Sequence, residues 1–447
     1  MAVSPQLIAL HRFGLGAKPG GYARISGAGP RNALRAELQT ANIADIANSN
    51  LPSYETACFE SQFTFDQSEP IWLAEMNARV DKHMSVEIGF VERLVLFWSN
   101  HFAMSVNKTE TIRATIGQWE RDVVRRHVLG RFTDMLRGTI EHPAMLAFLD
   151  NESSIGPNSP IGQSWGVGYN ENLAREILEL HTVGSAGGYS EADVTAFAKM
   201  LTGWSYVRGW EADNGWNGGT AQNRGQFIYR PDWHEPGEFT LMGKTYPELG
   251  KQQVDTALDD LAMHPATAEH IAFKLVRHFI TDTPTATMVN PLKQAFLQTG
   301  GDLKAVALAL LDLPHAWTMP FVKLRTPYEY QIATYRALGT RYKNSEPWVL
   351  FEALKALNQM EWESRSPEGY SDETPTWLNP DAMRVRLNIA QYMSWLFARN
   401  PKLKVPALAY SLFGPALSQA TLSRLAAAYS SNEALTILFA SPEFQRR

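Results

Sequence analysis

Apolar residues recur every three to four positions along most of this chain, which is the period of an α-helix with one buried face. In the segment 86–103, Val91, Leu94 and Trp98 form such an apolar stripe. Helices are also predicted in further segments, among them 32–39, 71–81, 109–127, 252–262, 266–279, 327–338 and 382–397. The pattern therefore predicts an all-α fold.

The segment 204–246 interrupts this periodicity. It is rich in glycine and asparagine and holds four tryptophans, and its stretches 226–229 and 238–241 predict two short strands. We therefore expect one large multi-helical domain over residues 1–447, with a tryptophan- and glycine-rich loop and a small β-hairpin inserted at about 204–246. Two helical lobes that meet near residue 250 are the alternative. A solenoid is not expected, because no repeat of roughly 20–50 residues is present.

The segment 169–204 concentrates the polar groups that suggest chemistry. On a helix, Glu171, Arg175 and Glu179 follow one another at i, i+4 and i+8 along one face. His181 falls at the edge of the apolar stripe. The polar face is either a solvated row of ion pairs or the wall of a cleft in which neighbouring carboxylates push one another's pKa values apart. Both interpretations remain open at this stage.

The same segment carries clear helix-boundary signals. Gly184 is expected to follow the end of the first helix, since glycine tolerates the left-handed conformation that often ends a helix. Ser190, with Asp193 three residues later, predicts a capped start for the next helix.

Composition narrows the class of protein. The 447 residues are 45% hydrophobic and 19% charged, which suffices for a large core, and the net charge of −5 argues against a nucleic-acid partner. The single cysteine, Cys58, excludes an intrachain disulfide and is expected to be a small packed residue. No signal-peptide pattern is visible and no run approaches the ~18 apolar residues of a membrane span, so we expect a soluble, cytoplasmic protein.

Dinucleotide-binding, serine-hydrolase and zinc-protease motifs are absent from the sequence. The first functional hypothesis is an acid–base hydrolase acting on a carbohydrate, because glycoside cleavage needs paired carboxyl groups and tryptophan faces suit sugar rings. The expected catalytic residues are Glu171, Arg175, Glu179, His181 and Asp150, the last at the start of the polar loop before the central helix. The expected substrate-binding residues are Trp204, Trp210, Trp233 and Asn170.

Two other hypotheses stay open beside the first. His101 and His234 come from separate segments with amide or carboxylate neighbours, and with His181 they would form the site of a metal-dependent enzyme that binds a divalent cation. In the third hypothesis the protein is a non-catalytic binding or scaffold protein, and the tryptophan-rich loop contacts its partner. The oligomeric state is left open.

Four blocks of sequence resemble a bacterial family known as domain of unknown function 1800. They are NENLAREILELHTVG at 170–184 with the GGYSEADV and LTGW stretches after it, FWSNHF at 97–102, the run 264–274, and His-Glu-Pro-Gly at 234–237. The last departs from the family pattern, in which Asp is expected where Glu235 stands. The resemblance covers most of the chain. It implies a bacterial protein, with relatives in exported systems, and assigns no activity or catalytic residue.

Overall fold

The computed structural model of the chain describes residues 4–47, 50–53, 56–57, 65–339, 348–398 and 403–447. The chain is 64% helical with 4% in strands, which confirms the predicted all-α fold. Among the described residues, no helix is both long and apolar enough to cross a membrane. The prediction that Cys58 is a small packed residue concerns a position outside the described residues.

The α-helices are distributed along the whole described chain. Those before residue 204 are Pro5–Leu7, Gly21–Ala28, Pro30–Gln39, Phe65–Ser85, Phe90–His101, Glu110–Trp119, Phe132–Ile140, Pro143–Phe148, Pro160–Trp165, Asn172–Glu176 and Glu191–Met200. Those after it are Gly209–Asn214, Lys251–Ala262, Pro265–Phe279, Ala286–Gln298, Leu303–Asp312, Pro314–Thr318, Pro327–Leu338, Trp348–Ala356, Thr374–Trp377, Pro380–Phe397, Val405–Phe413, Gln419–Ala427, Ser431–Ala440 and Pro442–Gln445. Short 3-10 turns occupy Asn151–Ser153, Trp216–Gly218, Pro231–Trp233 and Gly414–Ala416.

Wider π-helical turns occur at Ile8–Phe13, Glu120–Arg125 and Ile177–His181. Such turns are rare in proteins, and many of those that occur lie at functional sites. Here each one places polar side chains inside the protein. The second of these turns directs Arg125 into the protein, where its side chain is 3% exposed.

The strands form two separate antiparallel pairs. Trp204–Tyr206 pairs with Phe227–Tyr229, and Phe239–Leu241 pairs with Lys244–Tyr246. The two predicted strands are thus confirmed, but they do not pair with each other as a hairpin. The second pair closes through a tight turn in which Met242 and Gly243 both have positive φ, and the first pair joins segments that are far apart in sequence.

One contiguous hydrophobic core extends from Leu7 to Phe444. The predicted stripe of Val91, Leu94 and Trp98 is buried in it. The choice between one domain and two lobes meeting near residue 250 stays a prediction.

Buried arginines tie distant segments of this core together. The guanidinium of Arg336 donates to the main-chain oxygens of Gly16 and His83, and that of Arg12 donates to the oxygen of Ala316. A guanidinium suits this role because its five N–H donors can satisfy several carbonyl groups at once. These contacts hold the N-terminal segment and the helix Pro327–Leu338 in a fixed relation, and that helix forms one side of the site described next.

Candidate active site

A cavity of about 50 Å³ lies where three segments meet: the C-terminal half of the helix Phe90–His101, the start of the helix Pro327–Leu338 and the irregular segment 359–372. Ionisable side chains make up much of its lining. They are His278, Tyr328, Glu329, Glu361, Tyr370 and Asp372. A concave site with converging titratable groups is the first place to look for catalytic chemistry.

Tyr328, His83 and Glu92 lie in series next to this cavity, and we call them the Tyr328 triad. The hydroxyl oxygen of Tyr328 lies 3.0 Å from Nδ1 of His83, and Nε2 of His83 lies 3.1 Å from Oε2 of Glu92. All three side chains are buried. They come from three different helices, so the packing of these helices sets the geometry of the triad.

The electrostatics of the triad fix its hydrogen-bond directions. Burial raises the pKa of Glu92, but the neighbouring Arg125 outweighs this effect and brings the pKa to about 2, so Glu92 is ionised and accepts from His83. Burial lowers the pKa of His83, which is therefore a neutral imidazole with its proton on Nε2. Nδ1 is then the acceptor, and the Tyr328 hydroxyl donates to it. This arrangement of hydroxyl, imidazole and carboxylate is the one in which a base activates a nucleophile.

A buried ionic network continues from the triad to another part of the cavity wall. Arg125 contacts both Glu92 and Glu120 at 3.0 Å. Arg79 contacts Glu120 at 3.0 Å and Glu361 at 2.5 Å. The network holds three carboxylates for two guanidinium groups, so one negative charge is unbalanced. Burial raises the pKa of Glu361 against the opposing effect of Arg79, which favours placing a proton on this cavity-lining carboxyl group.

Asp372 lines the same cavity, but unlike Glu361 it favours the ionised state. Its Oδ1 lies 2.7 Å from Nδ1 of His278, while Nε2 of His278 lies 3.1 Å from Nη2 of Arg93. Burial lowers the pKa of His278 to about 4, and because Arg93 does not give up its proton, Nε2 must be the acceptor. Burial alone would raise the pKa of Asp372, but His278 holds it well below its usual range. The cavity thus joins a carboxyl group that favours protonation with one that stays ionised, which is a common arrangement of acid–base sites.

Ion pairs of Glu329 stabilise the side of the cavity at which His278 and Asp372 lie. Glu329 contacts Arg93 at 3.0 Å and Arg447 at 2.6 Å, and Arg447 also donates to the main-chain oxygen of His278 at 2.6 Å. Because both ring nitrogens of His278 are occupied, this residue positions Asp372 and is not available as a free base.

The polar face of the predicted central helix lies apart from these contacts. Arg175 pairs with Glu171 at 3.4 Å and with Glu191 of the next helix at 2.8 Å, and all three side chains are at least one third exposed. Glu179 accepts from the hydroxyl of Tyr189 at 3.2 Å. The capping box of Ser190 and Asp193 is confirmed. The contacts of this face match the solvated ion-pair interpretation, and its catalytic role stays a prediction.

His181 is instead buried with two other histidines. Its ring centroid lies 6.2 Å from that of His101, which lies 6.2 Å from that of His270. Nε2 of His101 donates to the main-chain oxygen of His181 at 3.1 Å. Among the described residues, neither ring nitrogen of His181 has a hydrogen-bond partner.

The predicted metal ligand His234 has different neighbours. Its Nδ1 lies 3.1 Å from the main-chain oxygen of Thr202, and its Nε2 lies 3.4 Å from Glu248. In the described part of the chain, no group of three or more His, Cys, Asp or Glu side chains has an arrangement that would hold a metal ion. A metal site at His101 and His234 therefore stays a prediction without geometric support from these residues.

The three predicted sugar-binding tryptophans differ in exposure. Trp204 and Trp233 are 0% and 3% exposed and pack inside the protein, whereas Trp210 is 49% exposed. The side-chain oxygen of Asn170 accepts from the main-chain nitrogen of Asn172 at 2.8 Å, which is a local turn contact. Only Trp210 of this set therefore offers a large aromatic surface to solvent.

Asp150 lies in a turn. It has a φ of 57° and forms an ion pair with Lys108 at 2.7 Å. Positive φ is tolerated best by glycine, asparagine and aspartate, so this conformation fits Asp150 as a turn-forming residue. Its catalytic role stays a prediction.

The sequence pattern missed the residues that line the cavity, and it also missed the other two members of the Tyr328 triad. Glu92 was detectable in principle, because it is a carboxylate inside the apolar run FVERLVLFW and must be paired if buried. Glu361 and Asp372 gave no such signal, since the segment 359–372 has no periodic pattern. Its position depends on contacts such as the hydrogen bond from Asn100 to the main-chain oxygen of Tyr370 at 2.8 Å.

Comparison with known proteins agrees with the sequence resemblance. Residues 8–446 match the model of a family described as "Protein of unknown function (DUF1800)". No curated protein and no solved structure matches the chain. The match covers nearly the whole chain, including every residue of the cavity.

Proposed function

The chain belongs to this family, and we propose that it is an acid–base enzyme, a hydrolase acting on a carbohydrate, with its active site in the cavity beside Tyr328. The observation that carries the proposal is the Tyr328 triad, with distances of 3.0 and 3.1 Å between its members. A nucleophile hydrogen-bonded to a base, and a base oriented by a third group, are the geometric criteria for an activated nucleophile.

In the proposed reaction Tyr328 is the nucleophile. Its hydroxyl oxygen attacks the anomeric carbon of a sugar, and its proton passes to Nδ1 of His83. The carboxylate of Glu92 stabilises the imidazolium that forms. Burial raises the pKa of the Tyr328 hydroxyl well above its usual range, and Arg79, whose guanidinium lies 5.3 Å from the centre of the Tyr328 ring, opposes this effect and favours the developing phenolate charge. Tyrosine nucleophiles occur in some glycosidases, so this chemistry is compatible with a carbohydrate substrate.

The two cavity carboxyl groups complete the reaction. Glu361 gives its proton to the departing glycosidic oxygen, and the bond from this oxygen to the anomeric carbon breaks. Asp372 stays ionised and stabilises the positive charge that builds up on the sugar ring. In the second step a water oxygen attacks the anomeric carbon and gives a proton to Glu361. The bond from this carbon to the oxygen of Tyr328 breaks, and His83 returns its proton to that oxygen.

Substrate entry requires a movement. A cavity of about 50 Å³ is smaller than a sugar ring, so the segment 359–372 has to shift outward to admit it. This segment is suited to such a movement because it has no helix or strand of its own.

The test combines a covalent probe with two matched variants. The protein is incubated with a panel of 2-deoxy-2-fluoro glycosyl fluorides, which trap glycosyl-enzyme intermediates, and then digested and mapped by mass spectrometry. The same samples are assayed on 4-methylumbelliferyl glycosides. We expect the probe on the Tyr328 peptide, and we expect Tyr328→Phe to lose both labelling and turnover.

Tyr330→Phe is the control, because Tyr330 is buried in the same helix and does not line the cavity. It should keep wild-type turnover. Tyr328→Phe should stay folded, because it removes one hydrogen bond at a cost of about 1 kcal/mol. Labelling on another residue, or an unlabelled and inactive wild-type protein across the panel, would refute the assignment and leave the binding or scaffold hypothesis.

A further inference from the structure

One side of the helix Pro265–Phe279 carries four side chains of different chemistry, and we call it the Lys274 face: His270, Phe273, Lys274 and Arg277. Their spacing of three and four residues places them next to one another on an α-helix, with about 5–6 Å between neighbouring Cβ atoms. Phe273 is 37% exposed and the other three residues are half-buried. The Lys274 face is therefore partly open to solvent.

Lys274 carries an amine that has no partner. Among the described residues it forms no hydrogen bond and no ion pair, and the neighbouring Arg277 already pairs with Glu373 at 3.5 Å. Burial lowers the pKa of Lys274 to about 8, against the opposing effect of Asp372 and Glu368. Part of the lysine is therefore an unprotonated amine at neutral pH, which is the form that acts as a nucleophile.

His270 supplies a proton acceptor one turn before Lys274. Its Nε2 lies 3.1 Å from the main-chain oxygen of Leu180, and since a carbonyl oxygen can only accept, Nε2 carries the proton. Burial, and after it the positive charge of Lys274, lowers the pKa of His270 to about 4, so the ring is neutral and Nδ1 has a lone pair. Neither this Nδ1 nor Nζ of Lys274 is a fully enclosed atom, so a small molecule can reach both from solvent.

We propose that Lys274 forms a Schiff base with small aldehydes and that His270 transfers the protons of this reaction. A partly desolvated lysine amine is the group that proteins use for this chemistry with carbonyl compounds. Lys274 is not a residue of the Tyr328 triad, so this inference goes beyond the proposed hydrolase and does not depend on it.

The reaction has two steps. In the first, Nζ of the unprotonated amine attacks the carbonyl carbon, and a proton passes from the nitrogen through Nδ1 of His270 to the carbonyl oxygen, which gives a carbinolamine. In the second, the carbon–oxygen bond breaks as the carbon–nitrogen double bond forms. The proton that remains on the nitrogen passes through His270 to the departing hydroxyl, which leaves as water. The products are an imine and one water, and no oxidant or reductant takes part.

The test is reductive trapping of the imine. The folded protein is incubated at pH 7.5 with a low concentration of acetaldehyde and an excess of sodium cyanoborohydride, which reduces the imine to a stable ethylated amine. Samples taken over time are digested, and ethylation at each lysine is quantified by mass spectrometry. About a quarter of an amine with a pKa of about 8 is unprotonated at this pH, against about a thousandth of an ordinary lysine.

Lys304 is the matched control within the same digest. It is also half-buried, it lies on the helix Leu303–Asp312, and in the described part of the chain it has no ion pair. We expect Lys274 to be ethylated about tenfold faster than Lys304, or more. This comparison uses the wild-type protein alone, so it does not depend on the folding of any variant.

Two variants test the roles of the residues. Lys274→Arg keeps the positive charge and should remove the fast ethylation. His270→Gln keeps an N–H donor for the main-chain oxygen of Leu180 but cannot transfer protons, so it should slow ethylation of Lys274 about tenfold or more and leave that of Lys304 unchanged. The unfolding midpoint in urea of each variant identifies any loss of folding. Equal rates at Lys274 and Lys304 would overturn the proposal, and so would a rate at Lys274 that is the same in folded His270→Gln as in the wild type.

Discussion

Replacement of His181 by leucine is expected to stabilise the protein, and more so in acid than at neutral pH. His181 is fully buried, and neither of its ring nitrogens has a hydrogen-bond partner among the described residues. Leucine has a similar volume and needs no partner. The hydrogen bond that His101 donates here goes to the main chain of His181, so the substitution preserves it.

The magnitude follows from proton binding. Burial lowers the pKa of His181 to about 3, whereas an unfolded histidine titrates near 6.5. As the pH falls below 6.5 the unfolded chain binds a proton that the native chain does not, so stability is lost until the pH passes the native pKa. At pH 5, which is about 1.5 units below the pKa of an unfolded histidine, the wild type has lost about 2 kcal/mol of its free energy of unfolding. Each pH unit contributes about 1.4 kcal/mol to this loss. At pH 8, His181→Leu should raise the free energy of unfolding by about 1 kcal/mol, because it removes two buried nitrogens that have no hydrogen-bond partner.

The assay is urea unfolding followed by tryptophan fluorescence at pH 8 and pH 5. The advantage of His181→Leu over the wild type should grow by about 2 kcal/mol between the two conditions. His181→Asn is the companion variant, because it removes the titrating ring but keeps a polar side chain and leaves a gap. It should show the same change with pH without the gain at pH 8. An advantage that is equal at both pH values would refute the reasoning.

Two further predictions concern buried charge and helix capping. Glu92→Gln should cost about 3 kcal/mol or more at pH 7, because with Glu361 protonated it leaves the buried Arg79 and Arg125 to share the carboxylate of Glu120, and urea unfolding measures the loss. The deficit should narrow as the pH falls from about 4.5 to about 2, because the unfolded wild-type chain then binds a proton at Glu92 that the native chain does not, which removes the stability that the carboxylate supplies. Ser190→Ala should lower the free energy of unfolding by about 1 kcal/mol through loss of the cap, and Ser190→Asn should largely restore it.

Local signals predicted much of the fold. The stripe of Val91, Leu94 and Trp98 has helical period and is buried. The Ser190–Asp193 pair is a short-range contact and forms the capping box that its spacing predicts. Both succeed because they depend on residues a few positions apart, where helix geometry alone decides which side chains meet.

The candidate site could not be predicted in the same way. Its ion pairs join residues far apart in sequence, such as Arg79 with Glu361 and Arg93 with Glu329. A regular helical period also gives no sign of the π-helical turn Glu120–Arg125, in which an extra residue rotates the side chains that follow it. Charge in a helical pattern is more often solvated than buried, so the pattern drew attention to the ladder at Arg175 and gave no signal for the charges that face inward.

The antiparallel pairing of Trp204–Tyr206 with Phe227–Tyr229 lets the exposed part of the segment between these strands vary in sequence while the rest of the fold is unchanged. The strands hold both ends of the segment 207–226 side by side, so its length and its exposed positions can change without moving the rest of the protein, as long as Glu211 is kept as the partner of the buried Arg230. Doubling the length of such a loop costs only about 0.6 kcal/mol in closure entropy. The surface that carries Trp210 and Trp216 can therefore diversify between relatives, or be exchanged by engineering, while the buried arginines and the cavity remain as they are.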